Sequence, residues 1–149
     1  MRKSSVKLFL SAAFALVFFA TSAVAQGPHP AYLHALSDVR AARRLLDGLN
    51  NNPREHEFIT LAIAEIDRTI VEIKQAAIDD GKNLNDAPPP EVGWGRGDRL
   101  SRAVSLLDKA YKDIDQHESD DYSRGLKHRA LDHLQQARIA ARHAWENVN

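Results

Sequence analysis

Three consecutive prolines, Pro88, Pro89 and Pro90, stand near the middle of the chain. They lie in a turn-rich run, 81–97, that opens at Gly81 and closes with Gly93, Trp94, Gly95, Arg96 and Gly97. Proline lacks an amide hydrogen and its ring clashes with the carbonyl four residues back, so no helix passes through three in a row. A connection of this length is long for a compact domain, and such loops are commonly either functional or disordered. Any fold must therefore be assembled from the segments on either side, and each side carries two with helical period.

The first helix is predicted over 30–49, where Tyr32, Ala35, Leu36, Val39, Ala42, Leu46 and Leu49 fall on one arc at ~100° per residue and Arg40, Arg44 and Asp47 fall opposite. Gly48 and three asparagines end it. Asn52 then stands as N-cap, Pro53 takes the first helical position and Glu55 completes a capping box. The second helix is predicted over 53–80. Its arc of Phe58, Ile59, Ala62, Ile63, Ile66, Ile70, Ile73, Ala76 and Ala77 is rich in β-branched residues, yet it steps by 3 and 4 with no period-2 alternation. Asp98 is the expected N-cap of a third helix over 98–118, with Leu100, Ala103, Val104, Leu107, Ala110, Tyr111 and Ile114 inward. A fourth starts near Ser119 or Asp120, with Tyr122, Leu126, Ala130, Leu134, Ala137, Ala141, Ala144, Trp145 and Val148 on its inward arc. Short connections make each pair a hairpin. Two hairpins that cannot bury their stripes alone predict an all-α, antiparallel up-down four-helix bundle, joined by the long Pro/Gly-rich loop.

Residues 1–25 stand apart from this domain. Arg2, Lys3 and Lys7 precede an apolar run at 8–20, and Ala23-Val24-Ala25 has the small-x-small form of a signal-peptidase site. The run is shorter than the ~20 residues a spanning helix needs. A cleaved secretory signal is expected, leaving 26–149 as one periplasmic or secreted domain that does not span the membrane. Removing the three leader cations leaves 17 basic against 20 acidic residues. With no basic stripe interleaved with aromatics, nucleic acid is not an expected partner. The absence of cysteine removes disulfides, thiolate metal sites and covalent c-type haem.

Candidate chemistry rests on histidine. His133 falls inside the apolar arc of the fourth helix, where a buried imidazole needs partners. Counting levels along the bundle suggests Asp67 or Thr69. His34 and Asp38 are four residues apart at the edge of the first stripe, a spacing that fits either a carboxylate-oriented ligand or an ordinary helix pair. Asp113/His117 and His128/Asp132 repeat it on polar faces. In an up-down bundle both ends of 81–97 are expected at the pole where the first helix begins and the fourth ends. Asp79, Asp80, Lys82 and Trp94 would then share that pole with His29, His34, Asp38 and His143, with the loop as its rim. Candidate ligand-binding residues are thus His34, Asp38, Asp79, Asp80, Lys82, Trp94 and His133; candidate metal ligands are His34 and His143.

A di-iron site needs Glu-x-x-His on two helices, whereas Arg68, Gln75 and Asp121 stand three residues after Glu65, Glu72 and Glu118. Ser37, Ser101, Ser105, Ser119 and Ser123 lie in no strand-turn-helix elbow, and the glycine-rich 93–97 follows no strand. No enzymatic activity is expected.

The segments His34-Ala35-Leu36-Ser37-Asp38-Val39-Arg40 and Glu72 through Asn83, with Gly125-Leu126 and the helix around His133, resemble a group of uncharacterised exported bacterial helical proteins. That resemblance implies the bundle and the compartment and brings no activity. In size, leader and a proline-bearing middle connection the chain also resembles the exported b-type four-helix-bundle cytochromes. It lacks their methionine ligand, since Met1 is the sole methionine, so the resemblance implies haem b held by His34 and His143. The expected function is a non-catalytic bundle that binds a small ligand or an envelope partner, with the bis-histidine haem protein as alternative.

Overall fold

The computed structural model of the chain describes residues 30–49, 51–77, 93–115 and 121–148. Among these are four helices, α1 (Pro30–Leu46), α2 (His56–Ala77), α3 (Arg96–Ile114) and α4 (Asp121–Glu146), and no strand. The antiparallel four-helix bundle of two hairpins is present. Among the described residues no helix is long and apolar enough to cross a membrane.

Helix ends follow local chemistry. Gly48 adopts φ 72°, the left-handed conformation that lets the chain leave α1. Asn52 Oδ1 accepts from the Arg54 amide at 3.1 Å and its carbonyl from His56 N at 2.9 Å, so it does cap the segment leading into α2. α3 begins two residues earlier than expected. Its N-cap is Gly95, with no side-chain cap, and Asp98 lies in the first turn, where its charge suits the helix N-terminus.

Side-chain pairs fix the directions. Arg96 and Arg99, at the start of α3, bond to the carbonyls of Leu49 and Asp47 just past the end of α1, while Lys109 reaches back to Asp38. α3 is therefore antiparallel to α1. On the other side Phe58 meets His143, Glu65 meets His133 and Glu72 meets Arg129, so α4 is antiparallel to α2. The packed pairs are α1·α2, α1·α3, α2·α4 and α3·α4, with α2·α4 the most extensive. Helices α1 and α4 lie on one diagonal; α2 and α3 lie on the other.

This arrangement corrects the expected pole. The end of α2 lies beside the start of α4, at the pole where α1 begins. The start of α3 lies at the opposite pole, with the α1–α2 turn and the end of α4. There Gly97 faces the Val148 side chain, which a Cβ at position 97 would meet at 3.8 Å. The ends that the connection joins are thus a bundle length apart, about 33 Å for a 22-residue helix.

Packing explains the pairing. α4 presents Ala130, Ala137, Ala140, Ala141 and Ala144 inward, all essentially buried, and α2 presents Ile59, Ile66 and Ile73. Large side chains on one helix and small ones on the other interdigitate at close interaxial distance. α1 and α3 mix leucine, valine and alanine. Carbodiimide treatment of the folded protein should join Lys109 to Asp38 in one cross-linked peptide. A Lys109 link to an acidic residue of α2 instead would contradict this topology.

Candidate functional site

The four seams of the bundle are closed by ion pairs. Arg43 meets Asp67 across α1·α2 through both guanidinium arms, at 2.6 and 3.2 Å. Lys109 joins Asp38 across α1·α3, Arg129 joins Glu72 at 3.0 Å across α2·α4, and Arg138 joins Asp108 at 2.6 Å across α3·α4. The hydrogen bond from Lys109 to Asp38 holds its ammonium above the usual lysine range, against a smaller opposing effect of burial. A raised folded pKa stabilises in full at neutral pH and is lost only as pH climbs through the lysine range. Asp67 acts on Arg43 in the same direction.

His133 lies at the α2·α4 seam, but its partner is neither Asp67 nor Thr69. Its Nδ1 stands 2.7 Å from Glu65 Oε2, and the other Glu65 oxygen accepts from Arg68 Nη1. Thr69 instead donates to the Glu65 carbonyl at 2.9 Å, while Asp67 points to α1. Glu65 is buried at 6% exposure, so two cationic or polar donors surround a carboxylate removed from water. The sequence signal for Glu65 was its place on the wheel: three residues after Ala62 and one before Ile66, at the margin of the arc rather than on the outer face.

A second buried carboxylate ties three elements together. Glu55, 1% exposed, accepts from Asn52 Nδ2 and from Arg96 Nε, both at 2.6 Å. Arg96 also donates to Asn51 Oδ1 at 2.9 Å and to the Leu49 carbonyl. Glu55 therefore belongs less to a capping box than to a latch between the α1–α2 turn and the start of α3. The latch fixes the backbone next to Trp94, whose indole is 46% exposed between two glycines, Gly93 having φ 91°.

The described members of the expected cluster, His34, Asp38, Trp94 and His143, do not gather at one pole. Asp79, Asp80, Lys82 and His29 lie outside the described residues, as does His117. His34 is exposed near the start of α1, and Asp38 pairs with Lys109 rather than with it. His128 and Asp132 are both exposed on α4. Trp94 and His143 share a pole, but His34 belongs to the other. His34 and His143 sit on diagonal helices at opposite ends, so they cannot ligate one iron from opposite faces. The bis-histidine haem pair does not fit this geometry. Among the described residues no group of three His, Cys, Asp or Glu side chains converges for a metal.

What the structure adds is a cleft of about 190 Å³ on the outer side of α4, lined by Gln135, Arg138, Ile139, Arg142 and His143. Arg138 is held rigidly: its Nε donates to Asp108, its Nη1 to Gln135 Oε1 at 2.7 Å, and its guanidinium lies 4.5 Å over the Tyr111 ring. Arg142 Nη2 is 3.5 Å from the second Asp108 oxygen. Ile139, within this lining, and Leu61 on α2 are 42% and 45% exposed. The pairings of residue 65 with 133 and 72 with 129 put these two at one level along the antiparallel helices. Sequence reasoning passed over this face because all of it lies outside the apolar arc; the signal available was Ile139, an isoleucine placed opposite the buried alanines.

Compared with protein-family models, with curated proteins and with solved structures, the chain matches none of them.

Proposed function

We propose that this is an exported, non-catalytic helical-bundle protein that binds a small ligand at its surface, related to the uncharacterised exported proteins its segments resemble. Export rests on the basic start, apolar run and Ala23-Val24-Ala25 of the leader. Ligand binding rests on one observation, the cleft over α4 lined by Gln135, Arg138, Ile139, Arg142 and His143. Concave sites that combine a few fixed polar groups with apolar surface are the usual form of small-ligand sites. The two buried carboxylates serve stability instead, because their oxygens are already engaged across helix seams.

An envelope protein as partner is the second reading. It is favoured by Leu61, Ile139 and Trp94, large side chains left half exposed, since aromatic and aliphatic anchors of this kind form the centre of protein interfaces. A photo-crosslinking residue at position 61, with one at the exposed position 112 as control, separates the two in intact cells. One stoichiometric adduct from position 61 alone supports a protein partner. Adducts at neither position, in a periplasmic protein starting at Gln26, favour the small ligand. A chain retained in the cytoplasm with its leader would overturn the export reading.

A further inference from the structure

The chemistry of the α4 cleft defines a class of ligand, and this inference rests on the surface-ligand reading above. We infer that the cleft binds a small organic anion, a carboxylate with a short apolar tail.

Four observations lead there. First, the lining residues offer hydrogen-bond donors and no carboxylate. Gln135 uses its carbonyl oxygen to accept from Arg138, which leaves the amide NH2 as its remaining group. Arg138 spends Nε and Nη1 on Asp108 and Gln135. Arg142 offers Asp108 only a long 3.5 Å contact, and among the described residues its other donors meet no acceptor.

Second, Arg138 and Gln135 are preorganised, while Arg142 is half exposed and held only by its long contact to Asp108. Asp108 and the Tyr111 ring clamp Arg138, and Arg138 in turn orients Gln135. Donors already fixed in place bind without the ordering cost that flexible surface side chains incur. Third, the planar guanidinium of Arg142, whose donors are largely unengaged, matches a carboxylate in parallel hydrogen bonds, and such charge-assisted pairs are the stronger ones.

Fourth, Ile139 stands among these donors at 42% exposure. An inorganic anion would gain nothing from it, whereas an alkyl tail would remove it from water. The small volume limits the ligand to a few carbon atoms. Glu146, 3.5 Å from His143 Nδ1, lies at the edge and sets an opposing charge there.

The test uses hexanoate, hexanol and hexylamine, equal in tail length and different in head group. Each is titrated into the mature protein while the Ile139 methyl, Gln135 side-chain amide and His143 ring signals are followed by NMR. Hexanoate should shift all three saturably, with a Kd on the order of 1 mM for so few atoms. Hexanol should bind at least tenfold more weakly. Arg142→Gln should weaken hexanoate by about tenfold, the loss of one charge-assisted contact, and Glu146→Gln should tighten it. Ile139→Ser should weaken hexanoate and leave the response to acetate unchanged.

Equal binding of hexanol, or a hexanoate affinity unmoved by Arg142→Gln, would overturn the anionic class while the surface-ligand reading stands. Shifts from none of the three probes would remove both. All variants lie on the outer face of α4, and an unchanged far-ultraviolet CD spectrum and Tm show that each remains folded.

Discussion

Replacing Arg96 by leucine lowers the thermal midpoint of the protein by about 10–25 °C, with a loss of about 3–5 kcal/mol. The magnitude follows from what is left behind. Glu55 is 1% exposed, and its Oε2 loses the Arg96 partner 2.6 Å away, while Asn51 and the Leu49 carbonyl lose their donors in the same step. Breaking a buried pair by removing one member leaves an uncompensated charge, and that is the costly event. For a domain of this size each kcal/mol moves Tm by about 3–5 °C. Glu55→Ala should be less severe, because Arg96 is a quarter exposed and can turn to water. Arg96→Lys should fall between the two, since an ammonium cannot serve three acceptors set out for a planar fork. The double variant Glu55→Met, Arg96→Met should recover most of the loss, because apolar groups of similar volume leave no orphaned charge. Urea denaturation of the parent and the four variants measures these losses. A loss below about 1 kcal/mol for Arg96→Leu would show that the latch is wet and dispensable.

His133→Leu is expected to destabilise by about 1–3 kcal/mol, the penalty of a buried acceptor that loses a partner. Leucine fills the same space, so packing is not the cause. Glu65 keeps only Arg68, a largely exposed side chain, and its Oε2 faces the new leucine. Glu65→Leu should cost less, because the half-exposed imidazole finds water. The double variant Glu65→Leu, His133→Leu should be close to the parent or more stable, so its loss falls short of the sum of the single losses by about the size of the larger one. Additive losses would mean that the two side chains do not share a hydrogen bond in solution. This pair holds α4 against α2, and the α4 cleft lies one to two turns further along the same helix. The double variant should therefore leave ligand affinity at the cleft unchanged, which separates the seam from the site.

The helices were legible because each one buries a stripe, and a stripe on a helix must repeat at 3 and 4. Ile59, Ile66 and Ile73 on α2, and Leu126, Leu134 and the alanines of α4, are all buried as the period requires. Polar partners were less legible. Levels along a bundle can be counted, but which of Glu65, Asp67 and Thr69 turns toward α4 depends on rotation about the α2 axis. Neighbouring residues differ by ~100°, so a small error of rotation selects a different side chain. The same holds for Arg96, assigned to a loop by its glycine neighbours and found to bridge three elements from the first turn of α3.

The sequence alone determined that this chain forms four amphipathic helices in two hairpins. Periodicity is local, and connections as short as those at 47–55 and 115–120 force antiparallel neighbours. It did not determine how the hairpins face each other. The proline-bearing connection, 18 residues between Ala77 and Arg96, is long enough to reach either pole, so it imposes no direction on α3. Tertiary packing made that choice by fitting the isoleucine ridge of α2 onto the alanine face of α4 and by closing Arg96 onto Glu55. It thereby put Trp94 and His143 at one end, left His34 at the other, and turned Ile139 and its arginines outward. Such pairings are settled by shape and charge across distant segments, which no single helix can express by itself.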